Sequence, residues 1–249
     1  MLSIKFTFAT ECNIIKDMTA RNKQLITEIC TWYKTFGIDH IFNDLNSIPT
    51  KAETPVPKTQ HILKSKTLDE LIDKIHKIDC NLKNTARNTV ISDGDPSSNV
   101  MIIGEAPGQE EDEQGKPFVG QSGQLLNNAL KSVGLKRSDV YITNIVFWRP
   151  PGNRTPSLEE TSLCMPYVID HIMLINPKVL ILLGSVAVQS VLQTKESISK
   201  LRGRTLEFYG IPVIPTFHPA YLLRSPTQKS LVFKDLIKAK KILDTVASY

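Results

Sequence analysis

Four short apolar runs rich in β-branched residues alternate with helical patterns along most of the chain. Buried parallel strands read as such continuous apolar runs, whereas amphipathic helices repeat every three or four residues. The predicted strands are Val100–Ile103, Val140–Val146, Val179–Leu183 and Pro212–Phe217, and the predicted helices are Gln121–Val133, Ser157–Ile175, Ser185–Leu192 and about Gln228–Val246. This alternation predicts an α/β protein, a three-layer α/β/α fold around a central, mostly parallel four-stranded sheet.

The fourth run contains Pro215. Proline has no N–H and therefore removes one hydrogen bond from a strand ladder. We expect this strand to be short or to lie at an edge of the sheet.

The first 66 residues have a different pattern and predict an N-terminal extension. Apolar positions within residues 21–36 recur at helical spacing, and Gly37 is a natural helix stop. Residues 47–65 contain three prolines among polar side chains, which is typical of an extended linker.

A Thr-x-x-Glu capping box at Thr67 then opens a short helix that reaches Lys77. We therefore place a domain boundary between an extension, residues 1–66, and a catalytic domain, residues 67–249. Met18 shortly precedes the first helix, and the sequence leaves open whether Met1 or Met18 is the start.

Composition places the chain among ordinary globular proteins. It has 249 residues, 41% of them hydrophobic, and a formal net charge of +5, which excludes a disordered chain. Neither an uncharged stretch of about 18 apolar residues nor an apolar leader is present, so we expect a cytoplasmic protein without membrane contact. The four cysteines are too widely spaced for a disulfide framework or a zinc motif, and free thiols are expected: Cys12, Cys30, Cys80 and Cys164.

Polar, Gly/Pro-rich segments follow the predicted strands. Gly104–Gly108 follows the first strand, Arg149–Pro156 the second and His218–Arg224 the fourth, while the third ends at Gly184. Ligands of open parallel sheets bind beyond the carboxyl ends of the strands. The loops therefore predict one shared site.

Each residue type in these loops also has an ordinary structural explanation. The segment 104–108 lacks a P-loop lysine and a dinucleotide fingerprint. The carboxylates within 105–113 are equally compatible with a solvated loop, and Phe118, among glycines, with either a core residue or a stacking platform. A lone His218 or Asn144 is more often structural, and only their joint occurrence at strand ends favours a site.

Three motifs, in order, resemble those of the type-4 uracil-DNA glycosylases, and the resemblance covers about residues 80–244. Gly-Glu-Ala-Pro-Gly at 104–108, Gly-Lys-Pro-Phe-Val-Gly at 115–120 and Gly-Gln-Leu-Leu at 123–126 are similar to the first motif. The second is matched by Tyr-Ile-Thr-Asn-Ile-Val at 141–146 with Arg-Pro-Pro at 149–151 and Asn-Arg at 153–154, and the third by Phe-His-Pro-Ala-Tyr-Leu-Leu-Arg at 217–224.

The resemblance implies a monofunctional DNA-repair enzyme that flips uracil out of DNA and hydrolyses its N-glycosidic bond, leaving an abasic site. Phe118 would stack on the base, the Asn144 amide would recognise it, and His218 would donate a hydrogen bond to uracil O2. The amides of Glu105 and Ala106, directly after Gly104, would add donors. Glu105 is the first candidate for the group that positions water, and Glu111 is the second.

Basic residues indicate DNA as the partner. Residues 200–249 contain nine Lys or Arg against three acids, and five of the eight arginines of the chain lie in or beside the site loops. A leucine of the third motif is placed to fill the base stack. The predicted DNA-binding residues are Arg149, Arg154, Arg202, Leu222, Leu223 and Arg224. We expect a monomer whose N-terminal extension binds either its own domain or a replication or repair partner.

The resemblance also implies a [4Fe–4S] cluster on four cysteines, and here the chain departs from the family. Cys80 and Cys164 match two ligands, whereas Lys77 and Trp148 occupy the positions of the other two. A cubane cluster needs four strong ligands. We predict no cofactor, with Trp148 and Phe147 filling the volume; the alternative is a cluster completed by distant cysteines of the extension.

Two rival functions remain open at this stage. One is a non-catalytic, damaged-DNA-binding or polymerase-associated module that kept the pocket. The other is a glycosylase for another deaminated base, such as hypoxanthine.

Overall fold

Six strands form one sheet between two layers of helices in the structure, a computed structural model that describes residues 65–246. Strands of such length and apolar content are stable only when both faces are covered. In chain order they are β1 (Ser92–Gly94), β2 (Val100–Gly104), β3 (Tyr141–Asn144), β4 (Val179–Leu183), β5 (Leu206–Phe208) and β6 (Ile211–Thr216).

The strands are arranged in the order β1-β3-β2-β4-β6-β5. The central four run parallel, whereas β1 and β5 pair antiparallel at the two edges. The predicted α/β fold and mostly parallel sheet are confirmed. The strand number was wrong, because the two edge strands have three residues each and are too short to show a periodic pattern.

The expectation for the proline-containing strand was also wrong. Strand β6 has six residues and pairs on both sides, with β4 and with β5. Strand β5 reaches only the segment from Ile211 to Val213, so Pro215 lies beyond that pairing. The sheet tolerates the missing N–H because β6 has only one paired neighbour at that point.

The five helices predicted within the described residues begin and end close to the predicted positions. Thr67 and Ser157 cap two of them, each accepting a hydrogen bond from the backbone N–H three residues later. The α-helices are α1 (Leu68–His76), α2 (Gln109–Gln114), α3 (Gln121–Ser132), α4 (Leu158–Ile175), α5 (Gly184–Leu192), α6 (Ile198–Leu201), α7 (Pro219–Arg224) and α8 (Lys229–Val246). Three short helices, α2, α6 and α7, were not predicted.

Two apolar clusters hold the layers together. Met101 and Ile103 of β2 face a cluster formed with α1, α4 and α5, whereas Val100 and Ile102 face a second cluster formed with α3, α7 and α8. Successive side chains of a strand point to opposite faces, so one continuous apolar run supplies both cores.

The predictions for the extension fall outside the described residues. They concern the helix at 21–36, the linker at 47–65, the start codon and two of the cysteines, and they stay predictions, as does the domain boundary. Between residues 65 and 246, no helix combines the length and the apolar character needed to cross a membrane.

The register of the parallel strands brings the predicted loops together. Gly104 at the end of β2 pairs with Asn144 at the end of β3, and Leu183 of β4 pairs with Thr216 of β6. The chain proceeds from β2 to β3 and then crosses back over β2 to β4, which creates the kind of strand-end crevice where ligands bind.

Candidate active site

A phenyl ring and an amide converge above the backbone of Gly104. A Cβ atom on Gly104 would lie 2.4 Å from Cζ of Phe118 and 2.5 Å from Oδ1 of Asn144. Real Cβ atoms do not approach other heavy atoms so closely, so only glycine fits here. We call the group of Gly104, Phe118 and Asn144 the cradle.

The Asn144 side chain is fully buried, and neither Oδ1 nor Nδ2 has a hydrogen-bond partner within the described part of the chain. Each unmet polar group of this kind costs about 1–3 kcal/mol. A protein rarely keeps such a cost in its core unless an ordered water or a ligand satisfies it. The amide offers one acceptor and two donors to a polar edge.

Phe118 is held in a backbone conformation that is unfavourable for a side chain with a Cβ. Its φ is 53°, in the left-handed region, and Gly123 lies so near that an added Cβ would be 1.9 Å from the Phe118 carbonyl oxygen. The ring centroid lies 5.6 Å from that of His218 at an interplanar angle of 34°. The strained backbone therefore places an aromatic face beside an imidazole.

Glu111 fastens this loop to the one before it. Its Oε1 accepts hydrogen bonds from the N–H groups of Val119 and Gly120, both at 2.9 Å, and its Oε2 accepts from the N–H of Gly108 at 3.1 Å. The carboxylate is thus occupied by three backbone donors. This geometry fits a residue that holds two loops together. It fits less well the role of positioning water, for which Glu111 was the second candidate.

His218 is both the last residue before α7 and its N-cap. Its Nδ1 accepts a hydrogen bond from the N–H of Ala220 at 3.2 Å, so Nδ1 carries no proton and the neutral ring carries its proton on Nε2. Burial lowers the pKa of the imidazole to about 4, which keeps the ring neutral. Gly184, with φ of 87°, makes room: a Cβ there would be 3.0 Å from Cβ of His218.

Glu105 follows the cradle directly. Burial raises the pKa of its carboxyl above the ordinary value, and a hydrogen bond from the Thr155 side chain acts in the opposite direction. Ala106, half-buried, packs against the apolar cluster on that side of the sheet. Glu105 is therefore a partly desolvated carboxyl one residue after Gly104 of the cradle.

The two leucines of the third motif lie in different environments. Leu222 is 2% exposed and belongs to the core, whereas Leu223 is 44% exposed on the same short helix α7. The prediction that either residue fills a base stack is corrected for Leu222. Only Leu223 is accessible.

Arg202 is mostly shielded from solvent and is engaged within the protein, so its contacts lend no support to the predicted DNA contact. Its guanidinium pairs with the buried Asp235 at 2.7 Å and lies 5.7 Å from the centre of the Phe217 ring. Arg154 makes a bidentate pair with Glu160 and lowers the pKa of that carboxyl to about 2. Nε of Arg149 donates a hydrogen bond to Oδ1 of Asn153 at 2.7 Å. Arg224 is exposed.

Much of the basic excess after residue 200 is not at the site. Lys229 and Lys238 are buried, and Lys238 donates to the Gly203 carbonyl at 2.6 Å. Lys240 lines a groove together with Val100 and Lys178, at the amino ends of the strands. These three lysines of helix α8 therefore do not support the charge argument for DNA binding.

The two described cysteines, Cys80 and Cys164, lie in the same apolar core. Cys80 is 5% exposed and Cys164 is fully buried, and burial raises the pKa of the Cys164 thiol to about 12. Trp148, 1% exposed, donates from Nε1 to the Thr89 hydroxyl at 3.0 Å and packs edge-on against Phe147. Lys77, the other substituted position, is exposed at the end of α1.

These residues do not fit a cubane cluster. Such a cluster needs four strong ligands, and this site offers two thiols and an indole that is already hydrogen-bonded. Among residues 65–246, no group of three or more His, Cys, Asp or Glu side chains is arranged to hold a metal ion.

Three residues that contact the site residues escaped the sequence analysis: Arg137, which contacts the Phe118 loop, Thr155 and Gly184. Gly184 had a signal, since it ends a predicted strand. Arg137 also had one, because it is one of only eight arginines among 30 basic residues. Thr155 was hidden among other polar loop residues.

Comparisons with known proteins agree with this geometry. Residues 91–240 match the family described as the uracil DNA glycosylase superfamily. The chain is 42% identical over 168 residues to the type-4 uracil-DNA glycosylase of Thermotoga maritima, covering 66% of this chain and 88% of that protein. It is 41% identical over 177 residues to the type-4 enzyme of Pyrobaculum aerophilum (68% and 89% covered) and 40% identical over 188 residues to that of Saccharolobus solfataricus (72% and 87%).

Proposed function

Because this chain belongs to the uracil DNA glycosylase superfamily and to its type-4 enzymes, we propose that it excises uracil from DNA in base excision repair. It hydrolyses the N-glycosidic bond and leaves an abasic site. The observation that carries the proposal is the buried, unsatisfied Asn144 amide beside the Phe118 ring. A flat base with a polar edge satisfies both groups at once.

Asn144 supplies the choice of base. Its Oδ1 accepts from N3–H of uracil, and its Nδ2 donates to O4. Cytosine presents an acceptor at N3 and a donor at the neighbouring position, so both contacts fail. A buried site whose amide is left unpaired by the wrong base discriminates strongly.

Phe118 and Leu223 both stabilise the flipped-out nucleotide. The target nucleotide leaves the stack, and its base lies on the Phe118 ring inside the cradle. The exposed Leu223 occupies the space that the base vacates. Unstacking costs a few kcal/mol, which these two contacts offset.

His218 stabilises the leaving group. The Nε2–H of the neutral ring donates to uracil O2, where negative charge accumulates as the bond to N1 breaks. The backbone amides of Glu105 and Ala106 add donors on the same side. A neutral donor with a depressed pKa needs no proton from solvent to act.

Glu105 orients the attacking water. The water oxygen forms a bond to C1′ while the N1–C1′ bond breaks, the electron pair leaves with uracil, and Glu105 takes the proton of the water. This is hydrolysis without a covalent intermediate. Lys116, two residues before Phe118, is 63% exposed and pairs with Asp93 at 3.8 Å, in keeping with a monofunctional enzyme.

The raised pKa of Glu105 predicts an acid limb in the pH profile. The carboxylate must be ionised to accept a proton, so the single-turnover rate should fall as pH drops through a value above the ordinary carboxyl pKa of 4.5. His218, with a pKa of about 4, titrates lower and does not account for this limb. Rates of the wild type and Glu105→Gln, measured from about pH 5 to 8, test this. A limb that persists unchanged in Glu105→Gln assigns it to another group.

Arg149 and Arg224 contact the DNA phosphates, with Arg154 alongside when its pair with Glu160 opens. The protein works as a monomer on uracil-containing DNA in the cytoplasm, and its N-terminal extension binds a replication or repair partner or its own domain. Support comes from the exposure of Arg224 and Leu223 on one short helix. Phosphate contacts of this kind weaken as salt rises.

The catalytic domain acts without an iron–sulfur cluster. The hydrogen-bonded Trp148 indole and the two remaining thiols support this proposal. The full chain, purified under anaerobic conditions, should contain far less than one iron per chain by elemental analysis and still excise uracil. About four irons per chain, with activity lost on chelation, would overturn it.

A uracil-containing oligonucleotide tests the function itself. After incubation with the protein, alkali should cleave the strand only at the uracil position, and free uracil should appear in equal amount. Tight binding to the oligonucleotide without cleavage would instead favour the non-catalytic module. Cleavage of a hypoxanthine substrate in preference to uracil would assign the other deaminated base.

A further inference from the structure

We infer that Arg137, outside the three motifs, is a positioning residue that holds the Phe118 ring in its stacking position. This inference rests on the proposed function, because Phe118 is the platform for the flipped base. Arg137 lies in a single 3-10 turn, Arg137–Asp139, just before strand β3. It touches neither the base nor the reacting atoms.

The guanidinium binds two successive carbonyl groups of the platform loop. One terminal nitrogen donates to the Phe118 carbonyl oxygen at 2.9 Å, and the other donates to the Pro117 carbonyl oxygen at 2.6 Å. Both contacts are made to backbone carbonyl oxygens and leave the Phe118 ring itself untouched. They fix the peptide plane from which the side chain projects.

Two other elements anchor the same guanidinium. Its Nε donates to Oδ2 of Asp93 on strand β1 at 2.7 Å, and it also reaches Oδ1 of Asn127 on helix α3 at 3.3 Å. The Arg137 and Asp93 side chains are 23% and 24% exposed, so this ion pair is largely shielded from solvent. The platform loop is therefore tied to an edge strand and a helix.

These hydrogen bonds stabilise the loop, whose backbone conformation at Phe118 is intrinsically unfavourable. A residue with a Cβ in the left-handed region is strained by about 1–2 kcal/mol, and Phe118 has a φ of 53°. Glu111 accepts from the N–H groups of the two residues after Phe118, and Arg137 donates to the carbonyl of Phe118 itself and to that of Pro117 before it. Ionised side chains of opposite sign thus fix the backbone on both sides of Phe118.

Arginine suits this role better than lysine. Its planar group presents several N–H donors in fixed directions, whereas an ammonium group on a flexible stem cannot span the same acceptors. Arg137→Lys should therefore keep the charge but lose part of the positioning. Arg137→Gln should lose both.

Single-turnover excision of uracil tests the inference. We expect kcat/KM to fall about 10²-fold in Arg137→Gln and about 10-fold in Arg137→Lys, since a displacement of about 1 Å is enough for such losses. Lys74→Ala, which removes an ion pair on helix α1, is the matched control and should retain wild-type activity. Thermal unfolding of all three checks that they are folded.

A double-mutant cycle separates positioning from general damage. If Arg137 acts through the Phe118 ring, Arg137→Gln should lower the rate less than threefold in a Phe118→Ala background. A loss of the same size in both backgrounds would overturn the inference, as would wild-type kcat/KM in Arg137→Gln.

Failure of the proposed function gives a different result, namely a wild-type protein that excises nothing. Amide hydrogen exchange then decides the inference without activity. Residues 115–123 should exchange faster in Arg137→Gln than in Lys74→Ala. Equal exchange in the two variants would overturn it.

Discussion

Replacing Asn144 with alanine should lower single-turnover uracil excision about 10³-fold while leaving the free protein at least as stable as the wild type. The loss of rate follows because the variant has neither the acceptor for N3–H nor the donor for O4. Stability should not fall because the buried amide has no hydrogen-bond partner among the described residues. Removing a buried group whose bonds are unmet relieves a cost of about 1–3 kcal/mol, which offsets the lost packing.

Thr143→Val is the matched control for this prediction. Thr143 is the neighbour of Asn144 on β3, equally buried, but its hydroxyl donates to the Ile91 carbonyl at 2.6 Å. Its loss should lower the free energy of unfolding by about 1 kcal/mol with little effect on excision. Chemical denaturation and excision rates of both variants reveal the opposite patterns. A fall in stability in Asn144→Ala larger than in Thr143→Val would show that the amide is part of the fold's own hydrogen bonding.

Gly104→Ala should reduce excision about 10²-fold. The added methyl group would lie 2.4 Å from the Phe118 ring and 2.5 Å from Oδ1 of Asn144, so both must move away from the place where a base binds. Misplacement of this size in a positioned site costs about two orders of magnitude. KM should rise as well, because the methyl group narrows the cradle before any chemistry occurs.

Gly152→Ala adds the same methyl group in a neighbouring loop, where nothing lies within 4 Å of the new Cβ. Its φ of 63° makes the substitution cost about 1 kcal/mol, yet no space for a ligand is lost. It should retain excision within a small factor. If Gly104→Ala also retained excision, the cradle would not be the base pocket.

The sheet was predictable because its central strands are buried on both faces. Val179–Leu183 is apolar at every position, and the structure places each of these residues in the core. The edge strand β1 was not predictable, since Ser-Asp-Gly has neither apolar residues nor a period. Helix α7 was interpreted as a loop because it follows His218-Pro219 and has only six residues, although proline in the first turn of a helix is favourable.

The site was predictable where a residue's chemistry depends on its position at a strand end. Asn144 and His218 were found in this way, and the structure brings both to the same strand-end edge. Residue type does not reveal burial: the structure places Leu222 in the core and pairs Arg202 with Asp235. Arg137 was missed because its contacts join residues 10 to 44 positions apart, which no local pattern encodes.

Because His218 is the N-cap of helix α7, the helix fixes the distance between His218 and Leu223. Leu223 follows His218 by five residues on one short helix, so the Cα atoms of the proposed base donor and of the residue proposed to enter the stack are about 7.5 Å apart along its axis. Helical geometry within one element sets this spacing, rather than the docking of two independent elements. In the proposed mechanism, this fixed spacing sets the distance that a base travels from the stack to Nε2 of His218.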